Sequence, residues 1–217
     1  HVTILWEMTR EQPIEERLNL LLNFVTENNK NAAYECCHSE VNHRDNYSVL
    51  YRLAQTTDDA KMLDFLATAK TVSIWNSVLT NSHVSMATLD ALSKSRNYEK
   101  KCYVAYHPQV SPEISARLAK DRSANVRRAV ANSAYTSPDV LQMLAKDNDV
   151  KVRCLLAENP NASSSTLDVL AQSPSPTVRE SVVKNLNTST ETLRKLEADD
   201  DYYQIRRSAE KTLRYRE

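Results

Sequence analysis

The sequence predicts an all-α fold, an α-solenoid of 26-residue two-helix repeats with an N-terminal helical cap. Three observations predict it. A leucine recurs every 26 residues, at Leu66, Leu92, Leu118, Leu144, Leu170 and Leu196. Glycine is absent from all 217 residues, where average usage would give roughly fifteen. Apolar residues fall at i, i+3, i+4 in short stripes that open on serine or Ser-Pro.

The N-terminal stretch fits the repeat poorly. "QPIEERLNLLLNFVTENN" reads as one longer helix over about 13–27, with Ile14, Leu18, Leu21, Leu22 and Val25 on one side. Residues 1–50 are therefore assigned to a cap and a degenerate first repeat, and residues 51–217 to the array. Within the array, the residues after each ladder leucine are Ala67, Ser93, Ala119, Ala145, Ala171 and Glu197. Eight residues beyond each leucine lie Ile74, Lys100, Val126, Val152 and Val178; twelve beyond lie Val78, Val104, Val130, Leu156 and Val182. The spacing holds without insertion until the last unit, where "IRRSAEKTL" starts one residue late, at Ile205.

Each unit reads as two short helices. The first opens at Ser111-Pro112 or Ser137-Pro138, because proline fits the first helical turn, where its missing N–H costs nothing. Its apolar residues are Ile114, Leu118 and Ala119 in one repeat, and Val140, Leu141, Leu144 and Ala145 in the next. The second helix runs from about Asn125 to Asn132, with Val126, Ala129 and Val130 inward. Helices this short are unstable alone and must stack on their neighbours.

Composition narrows the function classes. Without glycine there is no Walker loop, dinucleotide-binding fingerprint or nucleophile elbow, since each needs backbone that approaches phosphate or turns sharply. Turns fall to Asn, Asp, Ser and Pro. The net charge is zero, but residues 1–93 carry 7 bases and 12 acids while the remainder carries 21 and 16. No apolar run approaches the roughly 20 residues of a membrane span. Four cysteines do not form a disulfide framework. A cytoplasmic, reducing location is the expectation.

"LAKDRSANVRRAVANSAYTSPDVL" and "LAKDNDVKVRCLLAENPNASSSTLDVL" resemble the leucine-rich repeat variant family, a HEAT-like short helical repeat, over about residues 66–213. The resemblance implies a right-handed superhelix of paired short helices, one of them often 3₁₀. One family member carries an iron–sulfur cluster on N-terminal cysteines. Here only the adjacent Cys36 and Cys37 stand in that region, so the cluster does not carry over. HEAT-like DNA glycosylases use longer repeats, and no catalytic motif of theirs is matched.

A basic residue recurs as Lys101, Arg127, Arg153 and Arg179, with Arg206 after the slip. Asp121 and Asp147 stand six residues before Arg127 and Arg153. Such a spacing forms an inter-repeat ladder in HEAT-like repeats. An aspartate there can accept N–H bonds at the next helix start, and an arginine fork can reach a carboxylate or carbonyl. Arg127 lies on the flank of the core, about 100° around the helix from Val126. Asp121, Arg127, Asp147, Arg153 and Arg179 are accordingly assigned to a structural ladder, with a binding role as the alternative.

Residues that vary at exposed positions are free to encode a partner. On the first helix one outward slot holds Phe65, Ala91, Arg117, Met143, Val169 and Lys195, and another holds Lys94, Lys120, Lys146 and Gln172. On the second helix the outward pairs include Cys102/Tyr106, Arg128/Asn132 and Cys154/Glu158. These give the candidate partner-binding set: Phe65, Lys94, Tyr106, Arg117, Lys120, Arg128, Met143, Lys146 and Val169. The bland alternatives are a solvated face for the lysines and packing against a neighbouring repeat for the apolar three.

Chemistry is sparse elsewhere. Cys36, Cys37, His38 and His43 have metal-ligand types but no finger spacing. Cys102 and Cys154 are two repeats apart, roughly 20 Å at about 10 Å per layer, too far for a disulfide or shared metal. His83 and His107 read as turn residues, and Asp199, Asp200 and Asp201 as a solvated turn. No catalytic residue, metal, cofactor, membrane contact or small-molecule substrate is assigned. The expected function is a non-catalytic protein-binding scaffold. The alternative is nucleic-acid binding through the basic ridge of the central repeats, with Lys94, Arg117, Lys120, Arg128 and Lys146 on phosphates.

Overall fold

A computed structural model describes residues 47–69 and 71–216, together with Gln12 and Glu16. Glu16 apart, the helix expected over 13–27 lies outside the described residues, as do Cys36, Cys37, His38 and His43. The described residues form thirteen α-helices and no strand. The chain divides into two compact units, residues 1–94 and 95–217.

The first unit contains α1 (Tyr47–Thr56), α2 (Ala60–Leu66), α3 (Val72–Thr80) and α4 (Met86–Ser93). Helix α1 packs on α3, and α2 packs on α4. Leu53, Met62, Leu63, Leu66, Ile74, Trp75, Val78 and Leu89 fill the space between them. Burying each such side chain contributes about 1.5–3 kcal/mol before entropy is counted.

The second unit runs α5 (Tyr98–Ala105), α6 (Pro112–Leu118), α7 (Ala124–Asn132), α8 (Pro138–Leu144), α9 (Val150–Glu158), α10 (Ser164–Leu170), α11 (Pro176–Lys184), α12 (Thr190–Asp199) and α13 (Tyr203–Arg216). The second helices of the repeats, α5, α7, α9, α11 and α13, pack each on the next. The first helices flank them: α6 packs on α8, and the later ones approach each other less closely. The ladder residues form the shared core, with Leu118, Leu144, Leu170, Val126, Val130, Val152, Leu156, Val178 and Val182 buried. This is an all-α repeat solenoid. Both helices of each pair are α-helical, a departure from the 3₁₀ helix that the resemblance implied.

Serine caps start the first helices. Ser85, Ser111, Ser163 and Ser189 each accept the N–H of the residue three further on, filling one donor that the helix leaves open. Among second helices, Asn97 accepts the Glu99 N–H and Asp149 the Val152 N–H. First helices end on residues such as Ala119 and Ala171 in right-handed geometry, followed by tight bonds from Lys120 N to Arg117 O at 3.1 Å and from Asp121 N to Leu118 O at 3.0 Å. No described residue has a positive φ. That is how the turns manage without glycine.

Lys100 occupies the core column that valine holds in later repeats. It is buried, and burial pushes its ammonium pKa down. Among the described residues no helix is long and apolar enough to cross a membrane.

Candidate partner-binding surface

The turn from first to second helix carries a run of ion pairs. Lys101 donates to Asp121 at 2.6 Å. Arg127 takes Asp147 in a fork, Nε to Oδ2 at 2.6 Å and Nη2 to Oδ1 at 3.0 Å. Arg179 takes Asp200 likewise, at 2.6 and 3.1 Å. Each acid belongs to the next repeat, 20 or 21 residues on. The same arginines turn Nη1 back to a carbonyl six residues earlier: Arg127 to Asp121, Arg153 to Asp147, Arg179 to Ser173 and Arg206 to Asp200. Each guanidinium therefore joins its own turn, and where an acid follows, the next turn as well.

Electrostatics agree with this geometry. Burial alone would raise the Asp121 carboxyl, but Lys101 and the Ser123 N–H outweigh it and hold the pKa below the usual range. Asp200 behaves the same way, with Arg179 and the Tyr202 N–H outweighing its burial. The tract Asp199–Asp201 is thus not simply a solvated turn. Asp200 is buried and ion-paired, because the one-residue slip puts it, rather than Asp199, opposite Arg179.

A second row of polar contacts lies in the turn after each second helix. The Asn81 amide donates to Ala54 O and Thr57 O at 3.0 and 2.9 Å. Asn159 donates to Ala131 O and Ser133 O, and Asn185 to Ala157 O and Asn159 O, at 2.7–3.0 Å. Asn161 and Asn187 repeat the pattern one turn outward. Helix α13 is longer than the other second helices, and Arg216 near its end donates to the carbonyls of Thr188, Asn185 and Leu186. Sequence reasoning, which put His83 and His107 in this turn, did not foresee this bonding. The signal was there: Asn81, Asn159 and Asn185 share one 26-residue register with His107 and Ser133. His107 is buried in its turn and its ring accepts the Gln109 N–H at 3.1 Å; His83 is exposed.

The candidate partner residues separate into groups. Phe65 is buried at 9% exposure, which corrects its place among the exposed anchors; it packs in α2 with Met62 and Leu63. Lys94 ends α4 and pairs with Asp90 at 2.5 Å. In the second unit Met143 and Val169 are 43% and 42% exposed at equivalent positions of α8 and α10. Arg117 occupies that position on α6 and is exposed. Arg117 and Lys120 meet Lys101, Arg122 and Asp121 around a surface depression of about 410 Å³. Lys146 is exposed on the following turn.

Tyr106 and Arg128 belong to the second-helix layer. The Tyr106 hydroxyl accepts from Asn132 at 3.1 Å. Arg128 is held by Asp149 through two bonds, at 3.1 and 2.6 Å. That bidentate hydrogen bond raises the Arg128 pKa and lowers the Asp149 pKa. Cys154, placed outward by sequence, is buried, and Cys102 is half-buried with its thiol pKa raised by desolvation.

A larger groove of about 860 Å³ opens beside α12, near the register slip, with Asp168, Gln172, Arg179, Lys195, Asp200 and Tyr202 among its walls. The Arg179 guanidinium lies over the Tyr202 ring at 5.5 Å. No cluster of three or more His, Cys, Asp or Glu able to hold a metal occurs among the described residues.

The chain is similar to a solved structure described as a leucine-rich repeat variant with a novel repetitive protein structural motif. The two align with a TM-score of 0.63 at 20% sequence identity, over 92% of this chain and 83% of that one. No protein-family model and no curated protein matches the chain. The likeness is one of fold: this chain has the repeat architecture of a leucine-rich repeat variant.

Proposed function

We propose that the chain is a non-catalytic scaffold that binds a protein partner along the first helices of its second unit. Met143 and Val169 are the anchors, and Arg117, Lys120 and Lys146 form a basic rim. One observation carries the reading: two large apolar side chains stand exposed in register on consecutive first helices, where a repeat array presents its variable surface. The ion pairs Arg127–Asp147 and Arg179–Asp200, with the carbonyl bonds of Arg153, belong to the scaffold beneath. Arg128 and Tyr106 are engaged with Asp149 and Asn132, which leaves them as peripheral contacts.

The test is affinity capture by the immobilised chain, compared with Met143→Glu and followed by thermal melting. The reading expects Met143→Glu to lose the captured protein at an unchanged melting temperature. A large drop in stability would make Met143 a core residue. Mixed-sequence duplex and single-stranded DNA, at about 50 and 200 mM salt, form the control arm. Strong binding at the lower salt that collapses at the higher would favour phosphate contacts instead.

A further inference from the structure

We propose that Arg153 anchors a carboxylate of an acidic peptide segment in the partner, bound along the turn edge of the second unit. This rests on the protein-binding reading above and names the chemistry of its ligand. Arg127 and Arg179 show what the slot holds: a carboxylate of the next repeat, gripped by Nε and Nη2. Arg153 sits in the same register, and its Nη1 is fixed to the Asp147 carbonyl as in the other rungs. The residue facing it, however, is Ser173. The Ser173 hydroxyl accepts the Ser175 N–H at 3.3 Å, so it keeps the turn but supplies no carboxylate. Nε and Nη2 of Arg153 thus meet no acceptor among the described residues, and the side chain is only half-buried. Arg206, the other arginine with no following acid, lies over the Tyr203 ring at 5.9 Å instead.

A guanidinium already held by one bond loses little freedom when it takes up a carboxylate. Its surroundings favour an acid. Lys101, two rungs back in the register of Arg153, lines the depression with Arg117, Lys120 and Arg122, and its one acid, Asp121, is engaged by Lys101. Lys146, on the turn that Arg153 itself joins, is exposed and has no acidic partner among the described residues. Two repeats span about 20 Å at about 10 Å per helix layer. An extended peptide covers that in about six residues at about 3.3 Å each. The ligand is therefore a segment with acids about six residues apart, and Val150, 42% exposed at the start of α9, offers an apolar contact near Arg153. Asp147 and Asp149 on the same edge disfavour a continuous phosphate backbone but tolerate a peptide whose charges sit at its ends.

The probe is a fluorescein-labelled nonapeptide, Glu-Asp-Val-Ala-Ser-Ala-Val-Asp-Glu, with its Gln/Asn counterpart as control, read by anisotropy at about 50 mM salt. Ser173→Asp supplies the carboxylate from within the chain, on the pattern of Asp147 and Asp200. The expected result is acidic-peptide affinity about ten-fold weaker in Ser173→Asp, with the melting temperature held or raised. Arg153→Gln loses the same binding, and it decides the matter if Ser173→Asp does not fold. Equal binding by wild type and both variants overturns the proposal, as does a control peptide that binds as tightly. Single-stranded DNA of about 20 nucleotides that binds more tightly than the peptide, and is weakened by Ser173→Asp, also overturns it, in favour of phosphate. If Met143→Glu abolishes capture while Ser173→Asp leaves the peptide untouched, only the Arg153 assignment falls.

Discussion

At the scale of the residue, neighbours in one register have different work. Arg127 bonds two turns and Arg153 one, although both follow an aspartate by six residues. The side chains of Arg127 and Asp147 are 17% and 7% exposed. Arg127→Ala is therefore expected to cost about 2 kcal/mol, or about 4–8 °C in melting temperature for a chain of this size. Arg153→Ala should cost clearly less; equal losses in a thermal melt would dismiss the difference between the rungs. Asn185 is buried and donates to two carbonyls of the preceding repeat. Asn185→Ala should cost about 2–3 kcal/mol by denaturant unfolding. Asn185→Asp should fare no better, because a carboxylate cannot donate. These bonds were hard to foresee, since an asparagine in a turn is already explained by turn chemistry and its long-range partners leave no local trace.

At the scale of the element, the sequence was most informative where physics is local. The cap at Ser111-Pro112 and the stripe Val126, Ala129, Val130 both mark helices that form within a residue or so of the expected bounds. Ser163 accepts the Thr166 N–H at 3.2 Å; Ser163→Ala should cost about 1 kcal/mol by the same unfolding assay, and no measurable loss would show the cap to be redundant. Phe65 shows the limit of such reasoning. Helical spacing placed it on the outward slot of Met143 and Val169, yet it is buried. Spacing fixes where a side chain leaves its helix, while packing decides whether anything covers it. Asp200 failed for a related reason: one inserted residue moved the ladder position, and a solvated tract hid the rung.

At the scale of the molecule, the fold was legible, while of the candidate apolar anchors Met143 and Val169 stand exposed and Phe65 does not. A 26-residue ladder can be read because every repeat restates the same core. The proposed partner site rests instead on departures from the repeat, such as Ser173 where an aspartate would complete a rung, and each departure is stated once. The ion pairs also set the response to acid. Asp121, Asp149 and Asp200 have folded-state pKa values below their unfolded ones. The unfolded chain therefore takes up protons first as pH falls. The stabilisation is complete above the unfolded value of about 3.9 and is lost below about pH 4, toward the lower folded values. Melting temperature should be flat from pH 7 to about pH 5 and fall beneath that; a decline already under way near neutrality would point to other groups.

The most direct test of the central claim, that a rigid repeat scaffold presents the Met143–Val169 ridge to a protein, is quantitative capture with the double variant Met143→Glu, Val169→Glu beside a melting curve. The account predicts loss of the captured protein with the melting temperature unchanged. Undiminished capture by a folded variant, or collapse of the fold, would contradict it.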